Sequence, residues 1–247
     1  MRPLAAAART GSPASARQQR EGARSIVAGA APWALLTMAC DAAWAQGSAV
    51  DTWHARVGTS PTAAGAARPA VDGHDLSFGG AQRMTGATGL LAGATGATSI
   101  CMMEPIGTSG VWWGYGDAYY DARRAVAGSA GALVATAGNG ETGVASRTYV
   151  NVAITAGMHV FATRHDRTAA AGSELAIYQD GKQCAPVASL DNDTTGTYAA
   201  GQVLGIGAYP SGSIYVTARY RTLGIVAQAL PAAEVRRLSL LVEAACG

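Results

Sequence analysis

The chain has 247 residues, enough for one large all-β domain or two small ones. Apolar residues make up 49%, much of it Ala, with aromatics at 6% and charged residues at 14%; this excludes charge-driven disorder for most of the chain and leaves a core of Val, Ile, Leu, Met and Ala. The 32 glycines follow no Gly-X-Y period, which excludes collagen and, scattered between short apolar runs, signals many turns.

The net charge of +2 is unevenly spread. Residues 1–24 hold Arg2, Arg9, Arg17, Arg20 and Arg24 against Glu21, while the remainder holds 13 basic and 15 acidic residues. The globular part is therefore not a nucleic-acid binder by bulk charge. Residues 1–31 are Ala, Arg, Ser, Gly and Gln without an apolar period, and read as an extended, flexible basic arm able to anchor on an acidic surface.

From 32 to 247 the chain reads as one domain. Pro32–Ala39 is a candidate strand, and Val50–Arg56 is short and alternating. Residues 57–74 read as a loop. Asp75–Phe78 alternates and meets a Gly79-Gly80 turn, with Gln82–Met84 as the return strand. Thr98–Pro105 and Gly110–Tyr115 follow, then Asp117–Asp121 and Ala132–Thr136, with a turn at Asn139-Gly140. Tyr149–Ile154 and His159–Arg164 are strands; in the second, Val160 and Ala162 share one face and His159, Phe161 and Thr163 the other. Glu174–Tyr178 runs into Asp180-Gly181, the type I′ hairpin pair. Val203–Gly207, Ser213–Tyr220 and Thr222–Ala227 are the last strands. Pro231 then opens a helix in which Val235, Leu238, Leu241 and Val242 recur at helical spacing.

Cys40, Cys101, Cys184 and Cys246 are widely spaced, without a zinc motif; two disulfides or four buried thiols both fit. Basic residues, an apolar run from Ser25 and Ala43-Trp44-Ala45 before Gln46 give the outline of a secretory signal. The basic region is long for one, however, and Asp41 interrupts its end. No uncharged span of about 18 residues is apolar enough to cross a membrane.

Catalytic patterns are scarce. Retaining glycoside hydrolysis needs two carboxyls about 5 Å apart, and no acidic run suits it; Asp117 and Asp121 share strand parity without a third acid. His54, His74, His159 and His165 lack a Gly-x-Ser-x-Gly partner motif. Asp191, Asn192 and Asp193, with Asp180, are the candidate calcium ligands, an incomplete set against the six to eight oxygens calcium takes. The surface-contact candidates are Trp112, Trp113, Tyr115, Tyr119 and Tyr120, with Tyr209 and Tyr215 as further rings. Strand alternation turns one of Trp112 and Trp113 outward as a stacking platform.

Four short signals in order carry a resemblance: His159-Val-Phe-Ala-Thr-Arg164, Tyr178-Gln-Asp-Gly-Lys182, Leu204-Gly-Ile-Gly207 and Leu230-Pro-Ala-Ala-Glu234. A second set, Leu36–Ala42, Val50–Trp53, Arg68-Pro69 and Leu76–Gly80, covers the opening. Together they resemble the concanavalin A-like lectin/glucanase superfamily, in the laminin-G-like form of phage and prophage structural proteins. Met158 stands where that family often has Trp. The resemblance implies an all-β jelly-roll sandwich of two antiparallel sheets, a short C-terminal helix and an N-terminal arm. It implies a non-enzymatic virion component, such as a decoration, head-fibre or tail-associated protein, within an oligomer or larger assembly of other virion proteins. A host-surface glycan is a further partner of such domains, and no cofactor is called for. The alternatives are an exported, secreted or periplasmic carbohydrate-binding lectin and, last, a glycoside hydrolase.

Overall fold

The computed structural model describes residues 13–38, 47–107, 109–116, 120–127, 130–138, 145–151, 156–170, 172–186, 188–190 and 196–247. Pro13–Gly29 forms helix α1, which corrects the extended arm expected over that stretch. Ala, Arg, Gln and Glu are strong helix formers, and Pro13 suits a first turn. The helix buries Val27 fully and Ala23 and Ala28 in part. A stripe made mostly of Ala carries little periodic contrast, so the helix is hard to see in the sequence. Trp33 Nε1 donates to Val27 O at 2.8 Å, and Arg56 Nη2 donates to both oxygens of Glu21 at 2.9 and 3.0 Å, tying α1 down.

In chain order the first strands are β1 (Trp33–Met38), β2 (Ala55–Val57), β3 (Ala70–Asp72), β4 (Asp75–Gly79), β5 (Met84–Thr88) and β6 (Gly96–Pro105). Next come β7 (Gly110–Tyr115), β8 (Tyr120–Ala127), β9 (Ala130–Gly138), β10 (Ala145–Asn151) and β11 (His159–Asp166). The last are β12 (Leu175–Gln179), β13 (Lys182–Gln183), β14 (Ala188–Leu190), β15 (Val203–Ile206) and β16 (Thr217–Val226), before helix α2 (Ala232–Cys246). One sheet runs β13-β12-β11-β6-β16-β1-β2, with β4 also pairing β16 and β3 pairing β4. The other runs β14-β10-β9-β8-β7-β15-β5. All strand pairs are antiparallel, giving the expected two-sheet β-sandwich.

Two cores result. One fills the space between the sheets and takes Leu35, Met103, Phe161, Leu223 and Ile225. The second lies between the outer face of the first sheet and the helices, and takes Leu36, Ile100, Met102, Val160, Leu238 and Val242. Strand β6 is therefore buried on both faces. Val160 and Ala162 face the helices and Phe161 faces the other sheet, as strand parity predicts.

Bulges account for two departures from simple alternation. Ser213–Tyr220 and Thr222–Ala227, expected as separate strands, are largely one strand, β16, whose register against β6 shifts between Tyr220 and Thr222. Ala218 and Tyr220 point to the inter-sheet core before the shift, Leu223 and Ile225 after it. One extra residue flips the parity. The register of β7 against β8 likewise shifts between Val111 and Trp113. Elsewhere, Val50–Arg56 holds an isolated bridge at Thr52 and runs into β2 at Ala55, β3 interrupts the expected 57–74 loop, and the return strand β5 joins the second sheet. Asp180 and Gly181 both have positive φ (49° and 73°), as a type I′ turn requires.

Candidate functional site

The aromatic candidates are placed first. Trp112 and Trp113 are both about 1% exposed and both belong to the inter-sheet core, so neither ring is an outward platform. The register shift in β7 is the reason: it breaks the alternation that would have turned one ring outward. Trp112 packs on Phe161 with centroids 4.7 Å apart. Tyr115 is also buried; its hydroxyl donates to Ala199 O at 3.1 Å and its ring meets Tyr198 edge-on. These three are corrected from surface contacts to core. Tyr120 opens β8 opposite Tyr115.

Tyr119, Asp117 and the Asp191-Asn192-Asp193 group lie outside the described residues, as do Arg2, Arg9, Cys40, Asn139-Gly140 and Ala43–Ala45. Among the described residues no three metal-ligating side chains cluster. Asp180, in the β12–β13 turn, is committed to the start of β11: one oxygen accepts Val160 N at 2.9 Å, and the other lies 2.9 Å from His159 Nδ1. Arg17, Arg20 and Arg24 lie on α1. Arg20 and Arg24 line a cavity of about 280 Å³ with His74, Arg221 and Cys246. Its floor is Arg221, which is fixed by both oxygens of buried Asp75 (2.7 and 3.2 Å) and by Cys246 O (2.7 Å). Among the described residues Cys101, Cys184 and Cys246 are free thiols, so the four cysteines do not form two disulfides, and Cys184 is only partly buried.

A larger cleft, about 350 Å³, opens at the β12–β13 edge of the first sheet beside the start of α2. Arg164, Ser173, Tyr178, Gln183 and Cys184 line it, with Pro231 and Ala232 of the α2 entrance. Strand register explains the meeting: Ala162 faces Tyr178 and Arg164 faces Ala176, so Arg164 and Tyr178 are diagonal neighbours on the face that looks toward the helices. Arg164 Nε donates to Leu230 O at 3.1 Å, and Nη2 donates to Asp166 at 2.5 Å. The guanidinium is thus held by one edge. Asp166 is held in turn by the amide (3.0 Å) and hydroxyl (2.6 Å) of Thr168, and these bonds with Arg164 keep its carboxyl below the usual range despite partial burial. Burial pushes the Tyr178 phenol up, with Arg164 pulling the other way. Helix α2 has no side-chain N-cap and carries Glu234 in its first turn; its entrance residues Pro231 and Ala232 line the same opening. Both key residues sit in sequence motifs, the Thr163-Arg164 pair and Tyr178-Gln-Asp-Gly-Lys182, quoted above for the fold alone. Pairing the two strands and following their parity would have exposed the site.

A second polar cluster, also not singled out in the sequence, is internal. His165 and Tyr198 are hydrogen-bonded side chain to side chain, and the Arg167 guanidinium lies 4.9 Å from the centre of the Tyr198 ring. Ser99 and Thr163 hydroxyls join at 2.8 Å beside them. His165 is fully buried, and burial with Arg167 nearby pushes its pKa down to about 3, so the ring is neutral at physiological pH.

No protein-family model matches the sequence, and no curated protein matches it. Solved structures do share its fold. The binding domain of botulinum neurotoxin serotype D/C is 12% identical, with a TM-score of 0.57 over 84% of this chain and 51% of that one. Botulinum neurotoxin type C, whose uptake into cells depends on interaction with two ganglioside molecules, is 12% identical with a TM-score of 0.55, over 78% of this chain and 50% of that one. A Trypanosoma rangeli sialidase, solved with a difluoro-KDN ligand, is 14% identical with a TM-score of 0.51, over 94% of this chain and 39% of that one. The chain thus spans about half the length of the neurotoxin chains and less of the sialidase. What it has in common with them is the β-sandwich fold.

Proposed function

We propose that this chain is a non-catalytic contact module that binds carbohydrate through its β-sandwich and is carried on a virion, as a decoration, head-fibre or tail-associated protein. The observation that carries the carbohydrate part is the fold, which aligns over most of the chain with a neurotoxin that depends on gangliosides and with a neurotoxin binding domain in complex with a sialyl-T glycan. The cleft beside Arg164 and Tyr178 supplies polar groups at the sandwich edge, which sugar hydroxyls can pair with. The non-catalytic reading is supported by the acids themselves. Asp75, Glu104, Asp166 and Glu234 are each engaged by an arginine, and Asp180 by His159 and Val160 at the start of β11. The virion part rests on the ordered laminin-G-like motifs of the phage type.

The test has two halves. Gradient-purified particles from the native source are probed for the chain by mass spectrometry, and the purified chain is applied to a glycan array. Particle association with glycan binding supports the whole reading. Glycan binding by a chain found only free of particles removes the virion part and favours the exported lectin. A chain that binds no glycan removes the carbohydrate part.

A further inference from the structure

The polar groups that face the cleft are unbalanced in kind. Among the described residues, Arg164 Nη1 and the Tyr178 hydroxyl have no hydrogen-bond partner, and both side chains line the opening. Nη1 offers two N–H donors and the phenol one O–H. Among the described residues no Asp or Glu lines the cleft. Asp166, the acid nearest Arg164, already accepts from Thr168 and from Nη2. The guanidinium does not swing to meet a ligand, because Leu230 O and Asp166 hold its Nε–Nη2 edge. Its other end is left as a fixed donor a short distance from a phenol.

We propose that this cleft selects sugars bearing a carboxylate, with Arg164 and Tyr178 as the residues that recognise the acid group. The assignment rests on the carbohydrate-binding reading above and names the ligand class within it. A fixed donor pair with no competing acid rewards an anionic acceptor over a neutral hydroxyl, and charge-assisted bonds of this type are shorter and stronger than neutral ones. Pro231 and Ala232, at the entrance of α2, are the apolar lining on the helix side of the cleft.

Calorimetric titration of the full chain compares a uronic-acid-terminated tetrasaccharide with the same tetrasaccharide carrying glucose in place of the uronic acid. The acidic sugar is expected to bind about tenfold tighter at low salt, an advantage that shrinks as salt is raised. Arg164→Gln is expected to bring the acidic sugar down to the affinity of the neutral one. Tyr178→Phe leaves the Arg164–Asp166 pair intact and is expected to weaken the acidic sugar severalfold, so the test survives if Arg164→Gln misfolds. Equal affinity for the two sugars overturns carboxylate selection and leaves the carbohydrate reading standing. Heat with neither sugar, together with a silent glycan array, overturns both. Selectivity that persists in both variants overturns the assignment to this cleft.

Discussion

Acidification is expected to weaken this fold through one imidazole. His165 is fully buried between the sheets with Tyr198 on its Nδ1 side and Arg167 close by, and its pKa falls from the ordinary 6.5 to about 3. The unfolded chain takes up a proton on this ring below pH 6.5; the folded chain refuses it until about pH 3. The stability contribution is therefore whole above pH 6.5 and is lost progressively as the pH falls. From the two pKa values, lowering the pH from 7 to 5 costs about 2 kcal/mol, with a slope approaching 1.4 kcal/mol per pH unit. Over that range the carboxyls of Glu104, Asp166 and Glu234, all held below their ordinary values, stay ionised, so the histidine term stands apart from theirs. Urea unfolding at pH 7, 6 and 5 measures it, in the natural chain and in His165→Asn, which keeps a polar partner for Tyr198 and does not titrate. The variant is expected to lose about 2 kcal/mol less than the natural chain between pH 7 and 5. Parallel pH profiles for the two chains would refute the argument.

Three further expectations use other parts of the structure. Asp75→Asn leaves Arg221 without its buried carboxylate, and is expected to cost about 3–5 kcal/mol in urea unfolding, as breaking a buried ion pair does. Gly207→Ala puts a methyl within 2.3 Å of a Phe78 ring carbon at a φ of 80°, and is expected to lower stability by about 2 kcal/mol or more, read as a falling melting temperature. A chain beginning at Gln46 lacks β1, which lies between β16 and β2 and feeds Leu35 into one core and Leu36 and Met38 into the other. It is expected to show no cooperative melting transition by circular dichroism.

Much of the sandwich was legible because its signals are local. The hairpin at Asp180-Gly181 announces itself in two residues whose positive φ values the structure repeats. The faces of His159–Arg164 follow from a period of two, and α2 from Val235, Leu238 and Val242 at helical spacing. The illegible parts depend on register or on small side chains. Whether Trp113 faces water or core is decided by how β7 pairs with β8, and the shift after Val111 is not written in β7 alone. Arg221 looked like a break between strands because the bulge there reverses the parity of the residues from Thr222 onward. The helix over Pro13–Gly29 buries one large apolar side chain, too few for a pattern to rise above its Ala and Arg background. The cleft needed the pairing of β11 with β12 before Arg164 and Tyr178 could be seen as neighbours.

The position of β6 has a consequence for how the protein tolerates change. Cys101 and Met103 belong to the inter-sheet core, whereas Ile100 and Met102 belong to the layer under the helices. Neighbours in sequence are therefore strangers in packing. Two truncations at 100 and 102 open voids in one body of side chains and interact, while truncations at 100 and 103 fall on opposite sides of a hydrogen-bonded strand and act nearly independently. One strand thus serves as the wall between two interiors, so damage to the layer under the helices need not loosen the packing between the sheets.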